Sequence, residues 1–230
     1  MRHSGMSNGE GARMLAATTL ITENSMKKLG LGIQAFSEFK DKNLIYVDKT
    51  EHIYKLIDDG KYYFLSRPRR FGKSLLVDTI NALFSVEKAL FEGCWIYDKW
   101  NWEKKYPVIK ISFSEMNYRI VGLEEALEQS LSEQAEKYDI HLKISNYGTR
   151  FLELIKILGR KTPVVVLIDE HDKSIINYLE KSESKQSDEN REILKTFYAG
   201  VKDQDKYLRF FFITGVSNSV ITRSLTFRLP

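Results

Sequence analysis

Residues 62–74 of the chain read YYFLSRPRRFGKS, and this stretch decides the fold. It begins with a short apolar run, Tyr62 to Leu65, which predicts a buried strand that stops at Ser66. The residues after it predict a helix with one apolar face, formed by Leu76, Ile80, Leu83 and Phe84. A strand, a basic loop ending in Gly-Lys-Ser and an amphipathic helix are the elements of a phosphate-binding P-loop, in the order that it requires.

The last three residues of this loop have the chemistry that a nucleotide needs. Gly72 lets the backbone approach the phosphates, Lys73 reaches the β- and γ-phosphates, and the Ser74 hydroxyl ligates Mg²⁺. The helix that begins here points free N–H groups and the positive end of its dipole at the anion. The sequence therefore predicts a nucleotide as the ligand, with Mg²⁺ as the cofactor, and no base-reading motif indicates which nucleotide is preferred. The predicted nucleotide-binding residues are Arg69, Arg70, Phe71, Gly72, Lys73, Ser74 and Leu75.

Arg67 stands where the general P-loop pattern has its first glycine. One alternative interpretation of this arginine, and of Arg69 and Arg70, is a basic turn that is merely solvated. Four cations within seven residues, at the N-terminus of a predicted helix, favour an anion site over that alternative.

A second candidate segment is Val164 to Ile168, five consecutive apolar residues, as a strand buried on both faces of a parallel sheet requires. Asp169 and Glu170 follow it directly, in the form of a Walker B motif. Asp169 is predicted to complete the Mg²⁺ site, and Glu170 to orient or deprotonate the attacking water. A core strand that ends in solvated acids is the alternative. Two motifs at the carboxyl ends of buried strands, where open α/β sheets bind ligands, favour the nucleotide site.

A third segment, residues 210–215, reads FFFITG and predicts another buried strand. Thr214, the polar residue near its end, is our candidate for contacting the γ-phosphate. The alternative interpretation is a threonine that caps a turn.

Short apolar runs alternate with helical patterns along the chain. This alternation predicts an α/β fold of the P-loop NTPase class, with an open, mainly parallel sheet flanked by helices. The candidate strands lie near 61–65, 107–112, 163–168 and 209–214. The stretch from Glu180 to Arg191 is polar and charged, so we expect a surface loop there. Ser187 and Asp188 are candidate caps for the helix that follows.

Composition narrows the class of protein. The 230 residues include 35 Lys and Arg against 31 Asp and Glu, a net charge of +4 that is compatible with phosphate ligands but does not by itself indicate nucleic acid. The single cysteine, Cys94, excludes an intramolecular disulfide and a thiolate zinc cluster. No apolar run approaches the roughly 20 residues of a membrane-spanning helix, so we expect a cytoplasmic protein without a membrane partner.

Together these segments resemble the bacterial AAA-ATPase-like family, whose members commonly carry a C-terminal PD-(D/E)XK-type nuclease domain. The resemblance runs from about Lys28 to Ser217, and its most specific string is RPRRFGKS at 67–74, which includes the arginine at position 67. The other matching strings are GIQ at 32–34 with Phe36, YVDKT at 46–50, LIDEHDK at 167–173 and ITGVS at 213–217. The family usually has tyrosine where His171 stands and proline where Ser174 stands; neither position has an assigned role.

The resemblance implies an ATPase that binds ATP and hydrolyses it with Mg²⁺, with Lys73 and Glu170 as catalytic residues. It places the AAA-like P-loop domain over residues 26–217. Residues 1–25, rich in Gly, Ser and Thr, are expected to be a disordered leader. Residues 218–230 do not resemble the family's continuation, which predicts a non-family tail and a domain truncated after its fourth core strand.

Three alternative functions stay open at this point. The chain could be a nucleotide-binding regulatory module without turnover, a P-loop kinase of a small metabolite, or a nucleic-acid-associated protein whose basic loop contacts backbone phosphates. The pattern is also compatible with a homo-oligomer. Arg69, Arg70 and Arg209 are candidates for an arginine finger, which a partner copy could supply instead.

Overall fold

The computed structural model describes residues 27–143, 146–178 and 184–216, so the predicted leader and tail lie outside the described residues. A four-stranded parallel sheet forms the core, and a two-stranded parallel sheet lies outside it. The strands are Lys28–Leu29 (β1), Leu44–Ile45 (β2), Tyr62–Ser66 (β3), Val108–Ser112 (β4), Val164–Asp169 (β5) and Leu208–Gly215 (β6).

Helices connect these strands. They are Ser37–Asp41 (α1), Thr50–Asp59 (α2), Lys73–Phe84 (α3), Tyr118–Val121 (α4), Leu123–Glu136 (α5), Tyr147–Gly159 (α6), Lys173–Ile176 (α7) and Ser184–Tyr198 (α8), with 3₁₀ turns at Lys88–Phe91 and Lys202–Tyr207. Within the described residues, every helix is too short or too polar to cross a bilayer.

The central sheet has the strand order β3–β6–β5–β4, and all its strands run in the same direction. The four strands predicted from apolar runs are confirmed, each to within about two residues of its predicted ends. The fold is therefore the predicted α/β class with a parallel sheet flanked by helices.

The two faces of the sheet bury different side chains of the same strand. Val166 and Ile168 of β5 belong to the cluster that includes buried residues of α5, α6 and α8. Val165 and Leu167, the alternate residues, pack in the cluster that includes buried residues of α2 and α3. All of β5 is buried, because helices cover both faces. This is the physical reason for its uninterrupted apolar sequence.

The polar stretch expected to be a surface loop is helical from Ser184 onward, so that expectation was wrong, as were the predicted caps. Ser187 and Asn190 are only 3% and 1% exposed, and together with Leu194 and Phe197 they form one buried stripe at spacings of three and four. The Asn190 side-chain amide donates to the carbonyl oxygen of Ser174 over 2.7 Å. Polar residues can thus occupy the buried face of α8, which is why its periodicity was missed.

The direction of the strands gathers the candidate residues at one edge of the sheet. The basic loop follows β3, Asp169 ends β5, and Thr214 is the penultimate residue of β6. These three strands are adjacent, in the order β3–β6–β5. The predicted site residues therefore lie toward the carboxyl edge of the sheet, the edge at which open α/β sheets bind ligands.

Candidate nucleotide-binding site

The P-loop turns into α3 through a left-handed backbone. Gly72 precedes α3 with φ 72° and ψ 21°, and Arg70 also has a positive φ, 68°. A left-handed conformation costs an L-residue about 1–2 kcal/mol, whereas glycine adopts it freely. Arg69 and Arg70 are exposed, and Phe71 is 63% exposed, so the tip of the loop faces solvent rather than the core.

Lys73 is buried although it carries a charge. Its residue is 3% exposed, and its ammonium donates to the carbonyl oxygens of Arg67 (2.8 Å) and Pro68 (3.0 Å). Two neutral carbonyl groups are weak compensation for a buried cation, because charged groups away from water need a charged or fully hydrogen-bonded partner. An incoming phosphate would provide such a partner.

The first turn of α3 provides the remaining donors. Its first N–H groups have no acceptor within the helix, and the first intrahelical bond is donated by Leu76 to Gly72. Ser74 and Leu75 are half-buried, at the start of this turn. The loop, the helix terminus and Lys73 together form a surface of hydrogen-bond donors suited to an anion.

Asp169 and Thr214 are directly bonded across adjacent strands. Asp169 is 5% exposed and Thr214 is fully buried, and the threonine hydroxyl donates to Asp169 Oδ1 over 2.5 Å. The same hydroxyl oxygen accepts the backbone N–H of Glu170 at 3.1 Å. Thr214 was predicted as a contact for the γ-phosphate; its described contacts orient the two acidic residues, a role that the sequence did not reveal.

Glu170 also has a left-handed backbone, with φ 51°, and its carboxylate has two side-chain partners. The Ser114 hydroxyl donates to Glu170 Oε2, and the ammonium of Lys173 lies 3.3 Å from that same oxygen. Lys173 also donates to the Ser114 hydroxyl over 3.0 Å. Sequence reasoning missed both partners, although Ser114 follows the carboxyl end of a predicted strand and Lys173 is three residues beyond Glu170.

Opposing influences act on the pKa of the Glu170 carboxyl group. Burial by itself raises the pKa of this carboxyl group, but the hydrogen bond from Ser114 and the charges of Lys173 and Lys73 outweigh it and hold the pKa below its ordinary value. The influence of Lys73 means that the P-loop cation and the acidic end of β5 lie in the same electrostatic environment.

The turn after Glu170 packs tightly beneath the site. His171 is fully buried; its Nδ1 lies 3.0 Å from the carbonyl oxygen of Thr214, and its Nε2 has no hydrogen-bond partner among the described residues. Burial lowers the pKa of His171, against the opposing influence of Asp172. The buried imidazole packs edge-on against the ring of Phe64, with ring centres 5.3 Å apart, and this contact ties the turn to β3.

The residues suit a magnesium ion that is shared with a ligand. The described part of the chain has no cluster of three or more His, Cys, Asp or Glu that could hold a metal alone. Mg²⁺ at nucleotide sites needs only one or two protein oxygens, because phosphates and water complete its octahedral shell. The Ser74 hydroxyl and the Asp169 carboxylate are oxygen ligands of that kind, so the donor set fits.

The arginine candidates separate by position. Arg69 and Arg70 lie in the exposed loop at the carboxyl edge of the sheet. Arg209 lies near the amino end of β6, and its Nη1 donates to the carbonyl oxygen of Ile57 at 3.3 Å. Arg209 therefore lies at the amino ends of the strands, on the opposite side of the sheet from the candidate site of its own chain.

Comparison with known proteins gives a consistent result. A family model described as predicted AAA-ATPase matches residues 30–226. An "Uncharacterized protein in vnfD 5'region" of Azotobacter chroococcum mcd 1 is 39% identical over 198 residues, which are 84% of this chain and 38% of that protein. The chain therefore spans about two fifths of that relative's length. No solved structure matches the chain.

Proposed function

Because this chain belongs to the predicted AAA-ATPase family, we propose that it binds ATP together with Mg²⁺ and hydrolyses the bond between the β- and γ-phosphates. The observation that best supports this proposal is the buried ammonium of Lys73, whose partners among the described residues are two neutral backbone carbonyl groups, at the start of a helix whose first N–H groups lack acceptors within the helix. A buried cation beside free N–H groups at a helix N-terminus suits the phosphates of a nucleotide, and Glu170, at the same edge of the sheet, suits the water that would attack the γ-phosphate.

Binding would proceed by exchange of partners. The N–H groups at the start of α3 would hold the phosphate oxygens, and Lys73 would leave the carbonyl oxygens of Arg67 and Pro68 for the β- and γ-phosphates. Ser74 and Asp169 would hold Mg²⁺, which neutralises the charge that develops on the phosphates. Thr214 would keep the Asp169 carboxylate in place through its hydroxyl.

Hydrolysis requires a group that orients the attacking water and accepts a proton from it. Glu170 suits this role because it follows Asp169 directly at the carboxyl end of β5. The contacts that hold its pKa below the ordinary value also weaken it as a base. Its contacts with Ser114 and Lys173 must loosen or rearrange for an oxygen of the carboxylate to reach water. Those two contacts therefore hold the base before the ligand is in place.

Calorimetry with Mg²⁺ and ATP tests binding, with Lys73→Ala as the variant that removes the cation. We expect a dissociation constant in the micromolar range, about −8 kcal/mol, and at least a tenfold loss in the variant. Circular dichroism and thermal unfolding would show that both proteins are folded. If the folded wild type gives no binding heat, the proposed function is wrong for this chain.

A second candidate function is a nucleotide-binding module without turnover, and the two contacts of Glu170 favour it, because they occupy the catalytic carboxylate. Phosphate release by wild type and Glu170→Gln separates the candidates. If the protein is an ATPase, the turnover of Glu170→Gln should be at least 100-fold lower than that of wild type, while its ATP affinity changes little. Equal, near-zero rates for both proteins would identify a static binder.

A further inference from the structure

A cavity lies at the edge of the sheet opposite the candidate nucleotide site, near the amino ends of the strands. Its volume is about 320 Å³, close to the lower end of the range for small-molecule sites. The lining residues come from α2, the segment before β4 and the start of β6: Tyr54, Ile57, Asp58, Lys99, Trp100, Asn101, Lys104, Tyr106 and Arg209. No residue of the candidate nucleotide site lines it.

Three aromatic rings line this cavity: Tyr54, Trp100 and Tyr106. The rings of Trp100 and Tyr106 each contact the buried ring of Phe84 edge-on, with ring centres 5.4 Å apart. Contact with a core residue fixes both rings before any ligand arrives. Fixed aromatic rings are a suitable surface for stacking a nucleic-acid base, at a low cost in side-chain ordering.

The charge of the cavity is positive. Lys99, Lys104 and Arg209 line it against a single carboxylate, that of Asp58. None of the three cations forms an ion pair with a carboxylate of the residues that the structure describes. Cations without acidic partners next to aromatic rings are complementary to a ligand that carries both a phosphate and a flat base.

The same chemistry continues outside the cavity. Trp95 is 37% exposed, its ring meets that of Tyr54 at 5.7 Å, and the ammonium of Lys99 lies 4.9 Å from its ring centre. The ammonium of Lys104 likewise lies 5.1 Å from the ring centre of Tyr106. Alternating rings and cations extend beyond the space for one nucleotide, which favours a strand over a free mononucleotide.

We propose that this surface binds single-stranded nucleic acid, with one base in the cavity against the aromatic rings and the backbone phosphates at Lys99, Lys104 and Arg209. We call it the amino-edge surface. It is defined by five side chains that line the cavity: Tyr54, Trp100, Lys99, Lys104 and Arg209. The strand leaves the cavity over Trp95. This activity is independent of the proposed ATP site, which lies at the carboxyl edge.

The test uses the full chain and an oligo-dT of about 12 nucleotides, within the roughly 4–16 nucleotides that one single-strand site covers. All three tryptophans of the chain, Trp95, Trp100 and Trp102, lie in this region, so intrinsic fluorescence reports on it directly. We expect saturable quenching, and an affinity that falls with salt at a log–log slope of about −2, as three phosphate contacts predict.

Lys99→Ala with Lys104→Ala should weaken oligo-dT binding at least tenfold, and Tyr54→Leu at least fivefold. The matched control is Lys185→Ala with Lys195→Ala, which removes the same charge from α8 and should leave binding unchanged. Lys73→Ala should also leave oligo-dT binding unchanged, because it acts at the other edge. Thermal unfolding would show that every variant is folded, and ATP binding by the Lys99/Lys104 variant should equal that of wild type.

Four outcomes would overturn the proposal. They are the absence of quenching by oligo-dT with folded wild type, an equal loss of affinity in the control pair, equal affinity for thymidine monophosphate, and displacement of oligo-dT by an equal charge of poly-glutamate. The third outcome would identify a mononucleotide pocket and the fourth an acidic-peptide surface. None of them bears on whether the P-loop binds ATP, so the two proposals fail separately.

Discussion

At the scale of single residues, the P-loop depends on one backbone conformation that glycine adopts without strain. Gly72 has φ 72°, and a Cβ placed there would meet no atom within 4 Å. Gly72→Ala would therefore act through backbone strain alone and cost about 1 kcal/mol of unfolding free energy. We also expect ATP affinity to fall at least tenfold, because a relaxed loop moves its N–H groups away from the phosphates. Chemical denaturation and calorimetry measure the two effects.

Gly93→Ala is the matched control. Gly93 has φ 81° and equally open surroundings, but lies after the 3₁₀ turn and not in the P-loop. It should lose a similar amount of stability and retain ATP affinity. A loss of affinity in both variants would show that general destabilisation, and not loop geometry, is responsible.

A second prediction concerns Ser114. Its hydrogen bond is among the influences that hold the pKa of Glu170 below the ordinary value of 4.5, against burial. Ser114→Ala should therefore raise this pKa and move the acid limb of the pH–rate profile for ATP hydrolysis to higher pH. A carboxylate with a lowered pKa stabilises the fold above pH 4.5 and loses that contribution as the pH falls further, so the variant should lose less stability on acidification.

Ser132→Ala provides the comparison. The Ser132 hydroxyl donates to the Glu128 carbonyl within α5, and neither Asp169 nor Glu170 belongs to that helix. Its pH–rate profile should match that of wild type. An acid limb in Ser114→Ala that stays in place or moves to lower pH would contradict the role given to this hydroxyl.

The positions of individual residues could be predicted where a motif requires a fixed spacing. Gly72, Lys73 and Ser74 lie where the sequence predicts the start of α3, and Asp169 ends β5 as its apolar run indicates. The partners Ser114 and Lys173 could not be predicted in the same way. Their contacts with Glu170 depend on how a loop after β4 meets the turn after β5, which no local pattern records.

At the scale of elements, the end of β6 packs against the turn that carries the acidic residues. A Cβ at Gly215 would come within 2.5 Å of His171 Cε1 and 3.1 Å of Asp172 Cγ. Gly215→Ala must therefore push the turn and β6 apart, at a cost of about 1–3 kcal/mol in unfolding free energy. We expect ATP affinity to fall as well, because Asp169 and Thr214 are displaced with these elements.

Gly159→Ala is the control for this prediction. A Cβ there would lie 2.5 Å from Tyr207 Cβ and 2.9 Å from the Tyr207 carbonyl oxygen, so the crowding is comparable, but it lies at the end of α6. Denaturation should show a similar loss of stability in Gly159→Ala and Gly215→Ala. Calorimetry should show normal ATP affinity in Gly159→Ala and reduced affinity in Gly215→Ala. Normal affinity in Gly215→Ala would mean that the packing of this turn does not set the site.

The elements also show where a hydrophobic pattern is informative. Central strands of a parallel sheet are apolar on both sides, so β5 and β6 could be located from sequence to within about two residues. The first half of α8 could not, since Ser187 and Asn190 occupy its buried face. A buried amide is tolerated there because Asn190 donates to the Ser174 carbonyl oxygen, a contact outside α8, and accepts from Gln186.

At the scale of the whole molecule, ligand binding should stabilise the native state by mass action. With Mg²⁺ and ATP at about 100 times the dissociation constant, the expected gain is about 2.7 kcal/mol. For a chain of this size that corresponds to an increase in Tm of about 5–10 °C. Differential scanning fluorimetry measures it, and Lys73→Ala should show little increase. An equal increase in both proteins would place the nucleotide outside the P-loop.

The order of the strands in the sheet could not be predicted from the sequence, although the position of each central strand could. A parallel sheet can be assembled in several orders from the same apolar runs, and no local pattern selects the observed order, β3–β6–β5–β4. The small sheet of β1 and β2 was missed too, because strands of two residues carry no measurable periodicity.

The P-loop strand lies at the edge of the sheet, and its strand partner is the last strand of the described chain: Tyr62 pairs with Phe211, and Ser66 with Gly215. During synthesis at roughly 5–20 residues per second, β3 must wait about 7–30 s for that partner to be made. Pairings so distant in sequence also form late once the whole chain is available. A nascent chain therefore carries the loop at residues 67–74 well before it has a strand beside β3 to hold that loop, and the loop can take its native position only after translation has passed β6.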